Sequence, residues 1–331
     1  MRNPTIGGDP YAARYCLRYT MPTGLGTEKV GDDQHQLAGT RPTDRVVVTV
    51  GKLGTSDIFD VNRYADNTRT QFMNWALINN AAWDYAADTR GDTFGAAEEW
   101  VHPTWALRAG SFEMPTIANG GELSTDLGRN RGDNIELEWD PTVLKGKTPA
   151  RIRLLEYRNL AFMGTYRLAL EQPGTPDVTR TRTQANSKYG YGLNVEQALG
   201  DEGDTGVFAR FGWNDGNTES FAYTEADSHV SVGVQISGRH WNRPHDHWAM
   251  AWVDDNLSAP HAAYLAAGGL GFLLGDGRLN YGPEEVLETY YNLQASPTVT
   301  WALDYQVVRN PGYNHDRGPV NVLGVRFHFQ E

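Results

Sequence analysis

The densest group of possible metal ligands lies in RHWNRPHDHW, where His240, His245, Asp246 and His247 fall within eight positions. Imidazoles and a carboxylate could hold zinc, but known zinc spacings call for an HExxH helix or cysteine partners, and the chain has one cysteine, Cys16. A polar connection between two strands explains the stretch with fewer assumptions, so no metal is expected. Paired carboxylates are a second possibility: Glu98 with Glu99, or Glu136 with Glu138, could serve as glycosidase acids. On an extended chain the first pair splits between opposite faces, and the second stands only about 7 Å apart and open to water, which suits a polar lining better. The run AAGGLGFLLGDG has GxG spacing, but no βαβ unit surrounds it, and its glycines read as helix stops. No G-x-S-x-G elbow is present for a serine hydrolase. These residues build no catalytic centre.

The elements that must carry them read almost throughout as strands. In DNIELEWD, Asn134, Glu136, Glu138 and Asp140 share one side, and Ile135, Leu137 and Trp139 the other. The same period of two sets Tyr15, Leu17 and Tyr19 against Arg14, Cys16 and Arg18, and Val230, Val232, Val234 and Ile236 against Ser231, Gly233 and Gln235. It returns in LETYYNLQ and TVTWALDYQVV, joined by a short turn at Ser296 and Pro297 that signals a hairpin. Roughly a dozen to fourteen segments have the length of a tilted membrane strand.

Composition narrows the class. The 331 residues are 40% hydrophobic and 21% charged, and no apolar run reaches the roughly 18 residues of a membrane helix. Gly 36, Tyr 16 and Trp 10 favour strands and tight turns. A net charge of -12 argues against nucleic acid as a partner. The opening MRNPTIGGDPYAARY has no basic stretch leading into an apolar one, so no signal peptide is expected there.

A soluble sandwich also alternates. Two details favour a membrane barrel: aromatic residues near strand ends, as at Trp139, Trp213 and Tyr291, and polar faces of Glu, Arg, Asn, Gln and Gly suited to a wet lumen. Alternation then offers Arg14, Arg18, Arg108, Glu136, Glu138, Arg151, Arg153, Asp304 and Gln306 as pore-lining candidates, with cross-lumen pairing as their structural alternative. Neutralising Glu136 and Glu138 is expected to shift the cation preference. Three inserts break the strand pattern and predict helices over 69–83, 161–172 and 257–269, the last with Ser258 as N-cap and Gly268 at its stop. Such inserts could fold into the barrel mouth or cap its rim.

Four ordered blocks carry a resemblance: VGKLGTSDIFDVNRYADNTRTQFMNWALINNAAWDYAADTRGDTFGAA, RHWNRPHDHWAMAWVDDNLS, YLAAGGLGFLLGDGRLNYGPEEVLETYYNLQ and DYQVVRNPGYNHDRGPVNVLGVRFHF. Together they resemble the carbohydrate-selective porin (OprB) family of Gram-negative outer membranes. The resemblance implies an all-β, antiparallel, 16-stranded transmembrane barrel, one domain over 1–331, that passes glucose and similar monosaccharides without any cofactor. It adds Asp57, Asp60 and Arg63, in DIFDVNR, to the pore-lining candidates. It also implies outer-membrane lipid and the barrel assembly machinery as partners. The chain begins close to the matching region and so reads as roughly the C-terminal two thirds of a barrel, with N-terminal strands missing. Leu323, Val325, Phe327 and Phe329 fit a last lipid-facing strand, with Gln330 and Glu331 as an overhang beyond the aromatic residue. The competing expectations are a carbohydrate-active enzyme, membrane-bound or soluble, and a structural barrel plugged by its inserts.

Overall fold

Alternating segments become strands because a period-two pattern buries one face and leaves the other outside. In the computed structural model, which describes residues 10–32, 36–141 and 149–330, the strands run in chain order β1 (Tyr15–Pro22), β2 (Thr27–Val30), β3 (Gly39–Pro42), β4 (Arg45–Leu53), β5 (Thr93–His102), β6 (Trp105–Glu113), β7 (Arg131–Trp139), β8 (Ala150–Ala161), β9 (Asn186–Gly200), β10 (Thr205–Asn214), β11 (Ser228–Ser237), β12 (His247–Asn256), β13 (Glu284–Ser296), β14 (Val299–Arg309) and β15 (Val320–Phe329). β2 and β3 form a separate hairpin. The other thirteen make one antiparallel sheet, each strand paired with the next, from β1 through β4 to β15. The expectations about a leader and about the terminal Glu331 bear on residues 1–9 and 331, outside those described.

One rim carries short turns, such as 103–104 and 297–298, together with the β2–β3 hairpin between β1 and β4, and the other carries long connections, of which 54–92 is the longest. The outer face is apolar: Leu107, Ile135, Leu137, Leu154, Leu193, Phe211, Leu303 and Val325 are all exposed there. Trp100, Trp139 and Trp301 flank it at the short-turn end, Tyr189 at the other. An exposed apolar band with aromatic edges suits hydrocarbon between two interfaces. As the period of two requires, Glu98 and Glu99 part company: Glu98 faces outward, and Glu99 turns in to Arg108 at 3.1 Å.

The core lies inside the curled sheet. Phe59, Phe72 and Trp83 from segment 54–92 pack against Phe112, Tyr157, Phe208 and Tyr290 of the wall, with Phe72 and Tyr290 edge to face at 5.0 Å. A smaller cluster, with Tyr166, Tyr264 and Leu265, joins two helices over the long-loop rim.

The helical inserts are shorter than the sequence predicts. They are α1 (Trp75–Ile78), α2 (Tyr166–Leu170) and α3 (Ala259–Ala266). α3 matches its expected ends: the Ser258 hydroxyl accepts from His261 N, and Gly268 follows at φ 93, in the left-handed region where glycine costs least. Residues 161–165 do not start a helix, since β8 runs on to Ala161. Across 69–83 only one turn forms. Asn74 caps its start by accepting from Ala76 N, and Asn79 turns extended (φ -143, ψ 168) and ends it. The backbone groups that a longer helix would pair internally are bonded by the wall instead.

Candidate pore constriction

Segment 54–92 leaves the rim after β4 and folds back into the lumen, so its backbone N–H and C=O groups need partners there. The inward side chains of the wall supply them. Glu136 Oε2 accepts from Asp60 N at 2.7 Å, and Glu196 Oε2 accepts from Arg63 N at 2.8 Å. Glu288 takes Met73 N at 2.6 Å and Asn74 N at 3.0 Å. From the donor side, Arg210 Nη2 gives to the carbonyls of Asp60 (3.0 Å) and Ala65 (2.8 Å), Nη1 gives to Leu77 O at 2.8 Å, and Nε lies 3.1 Å from the Asp60 carboxylate. Asn194 donates to Asp60 O and Oδ1, and Arg326 Nη1 donates to Thr68 O and Gln71 O at 2.7 Å each. Tyr157 and Asn214 both donate to Ala82 O. The segment is held from six or more strands around the wall.

Small residues make room for it. A Cβ on Gly212 would stand 1.8 Å from Asn80 Oδ1, and one on Gly206 would stand 2.1 Å from the Tyr64 hydroxyl. Both glycines face inward on β10, where any side chain would push the segment away.

Of the residues singled out from sequence, those in the strands point inward, but most are covered. Glu136 is 1% exposed, and Arg153, Glu138, Asp304 and Gln306 are also buried. Across β5 to β9 they form a ladder of alternating charge: Arg108 Nη1 reaches Glu136 at 2.9 Å and Glu138 at 3.1 Å, and Arg153 reaches Glu138 at 2.7 Å and Glu196 at 3.2 Å. Arg151 lies nearer the short-turn rim, 3.4 Å from Asp140. Asp304 accepts from Gln306 Nε2, and Gln306 Oε1 accepts from Asn74 Nδ2. Asp60 is buried under Arg210. The picture of Glu136 and Glu138 as open water lining is therefore corrected, because the inserted segment occupies that side of the lumen.

Open space lies on the other side. One cavity of about 710 Å3 opens between the long loops, and a second of about 640 Å3 lies along β1. Arg14, Asp57, Asp66 and Asn67 line both, and so mark where they meet. At that junction Arg14 Nε lies 2.8 Å from Asp57 and 3.5 Å from Asp92. Arg18 borders the second cavity, and Arg63 is exposed, with its guanidinium beside the turn at Gly203. Burial pushes the Asp66 carboxyl up to about 7, with Arg210 pulling it partly back.

Sequence reading missed Asp66, Arg210, Asn194, Trp75 and Asn79. Arg210 and Asn194 do alternate with apolar neighbours and were legible as inward, but their role depends on a segment more than a hundred residues away. Two other groups resemble chemistry without supporting it. His229 Nδ1 lies 2.7 Å from Asp255 and Nε2 3.0 Å from Ser231 Oγ, a Ser-His-Asp row, yet all three are buried and none lines a cavity described above. In RHWNRPHDHW, Asp246 accepts from Arg243, Tyr291 and the Gln294 amide, and His240 faces Asp201, so the group holds a turn together. Among the described residues no cluster suits a metal. The glycine run is likewise structural, since Glu225 accepts from the amides of Phe272, Leu273 and Leu274 in succession.

Comparison with known proteins agrees with this architecture. Residues 34–330 match the family described as carbohydrate-selective porin, OprB family. Among solved structures, the high-pH form of Pseudomonas putida OprB superposes with a TM-score of 0.66 at 17% identity, over 88% of this chain and 73% of that one. The outer membrane channel DcaP of Acinetobacter baumannii gives 0.50 at 10% identity, over 95% and 83%. No curated protein sequence matches significantly.

Proposed function

The chain belongs to the carbohydrate-selective porin, OprB family, and from that membership we propose that it passes glucose and similar monosaccharides by passive diffusion through the gap between its two cavities. As a member it is an outer-membrane porin and not an enzyme, and its long-loop rim then faces outside the cell. The observation that carries the route is the shared lining of the cavities by Arg14, Asp57, Asp66 and Asn67. A sugar crossing there exchanges its hydration shell for guanidinium, carboxylate and amide groups, which bind hydroxyls without holding them tightly. Arg14, Arg18 and Asp57 belong to this path, whereas Arg63 lines neither cavity and lies against Gly203. Glu136 and Gln306 act instead as anchors of the inserted segment, in which Asp60 is held by Arg210, while Arg108, Glu138, Arg151, Arg153 and Asp304 pair with neighbouring side chains along the wall.

β1 pairs only with β4 and β15 only with β14 among the described residues. Unpaired edges are untenable in hydrocarbon, so the same reading requires further strands between β15 and β1, placed by the barrel assembly machinery in outer-membrane lipid. The test is liposome swelling with glucose, a disaccharide and a like-sized amino acid, with and without added upstream strands. Faster passage of glucose than of the amino acid supports the reading. The packed core around Phe59, Phe72 and Trp83 favours a second one, a plugged structural barrel. Folded protein with no flux in either form would establish it.

A further inference from the structure

Segment 54–92 hides its aromatic side chains, with one exception. Phe59, Tyr64, Phe72 and Trp83 are fully buried, but Trp75 is 54% exposed and lines the outer cavity. Its ring is not loose. One face stacks on Tyr223 at 5.9 Å between centroids and 18° between planes, and Tyr223 stands against Tyr85 at 4.9 Å. The Tyr223 hydroxyl also donates to the Trp75 carbonyl. An indole backed in this way keeps its orientation while its second face stays open.

Four positions on, at the end of the same helical turn, Asn79 lines the same cavity. Asn79 is 4% exposed, yet its Nδ2 has no hydrogen-bond partner. Leaving a buried amide donor without an acceptor is unfavourable, so a ligand that supplies an acceptor recovers that loss. A flat apolar ring face beside an unused donor matches one ligand shape: a ring with C–H groups on its face and hydroxyls at its edge. We propose that Trp75 and Asn79 form a capture subsite for a pyranose, outside the Arg14–Asp57 junction. The proposal rests on the monosaccharide reading above and deepens it, since it gives the incoming sugar a first resting place and an orientation.

The test is equilibrium binding by saturation-transfer NMR on the full chain refolded in detergent, with glucose as probe and the acyclic hexitol sorbitol as control. Heat-modifiable gel mobility confirms folding of each variant. The expected result is transfer to the axial C–H protons on one ring face of glucose, and little to sorbitol. Trp75→Ala weakens glucose binding about threefold to tenfold, the scale of stacking on one aromatic face. Trp75→Phe keeps most of the affinity, and Asn79→Asp, which removes the donor, loses it. Unchanged glucose affinity in Trp75→Ala, or equal losses for glucose and sorbitol, overturns the subsite. One-sided binding in a chain that passes no sugar would sink the porin route and leave the subsite standing. Sugar flux without one-sided transfer would do the reverse.

Discussion

Arg210 is the side chain on which the position of the inserted segment most depends, and Arg210→Met tests that dependence. Arg210 is 2% exposed, and its guanidinium serves three carbonyls, those of Asp60, Ala65 and Leu77, as well as the Asp60 carboxylate. Methionine fills a similar volume and donates nothing. Each buried acceptor left without a donor costs about 1–3 kcal/mol, and one-sided removal of a buried ion pair costs about 3–5 kcal/mol. Asp60 keeps its bonds from Asn194 Nδ2 and Asn80 N, which places the ion-pair loss near the lower end, at about 3 kcal/mol, and the carbonyls of Ala65 and Leu77 at about 1 kcal/mol each bring the total to about 5 kcal/mol. At about 1.4 kcal/mol per factor of ten, the undocked segment becomes more than about a thousandfold more populated. The assay is liposome swelling with a size series from glucose to a trisaccharide, alongside single-channel conductance, on the barrel with its wall closed. The expected outcome is a larger unit conductance and entry of the larger sugars. An unchanged size cut-off in a variant with normal gel mobility would refute the reasoning, since it would mean that the remaining anchors hold the segment without Arg210.

Three further outcomes follow from the same geometry. Asp66 ionises near pH 7, so cation preference measured by reversal potential rises between pH 6 and 8 in the wild type, whereas Asp66→Asn stays flat; for stability, a raised folded pKa means that this group's contribution is full below its ordinary 3.8 and lost as pH climbs through about 7. Glu136→Gln, at a site closed to water, leaves the reversal potential in place and lowers the temperature at which the barrel unfolds on gels, while Asp57→Asn at the junction moves the potential; the opposite pattern would restore Glu136 to the pore wall. Gly212→Ala drives its methyl group into Asn80 and destabilises the docked segment by about 1–3 kcal/mol, read as increased protease cleavage within 54–92 in an otherwise intact barrel.

The sheet was legible because its signal is local. Ile135, Leu137 and Trp139 face out and Asn134, Glu136 and Glu138 face in for no reason beyond the period of two, and the Ser296–Pro297 turn needs only its own residues. The ends of α3 were legible for the same reason, through the Ser258 cap and the Gly268 stop. Segment 69–83 was misread because apolar residues at helical spacing there answer to a surrounding wall: Phe72 packs on Tyr290 and Phe208, and the adjacent amides bond to Glu288. The site was half legible. Alternation says that Arg153 or Glu138 points inward, but whether an inward side chain meets water depends on which part of the lumen a long loop fills. Asp66, the neighbour of Arg14 and Asp57 at the junction of the two cavities, is not legible, because nothing within reach of its own sequence marks it as the group left between them.

The anchoring of segment 54–92 also orders events in time. Its contacts bridge 76 residues to Glu136, 150 to Arg210, 215 to Glu288 and 258 to Arg326. Closing spans of that length is entropically costly until the strands between are already paired. The segment follows β4 in the chain, yet its last anchor, Arg326, is in place only when β15 has joined the wall. Until then the lumen stands wide and its buried carboxylates are wet; afterwards the same strands that exclude lipid also fix the bore. The inserted segment thus works as a gauge of progress, its full set of anchors closing only once the wall runs from β4 to β15.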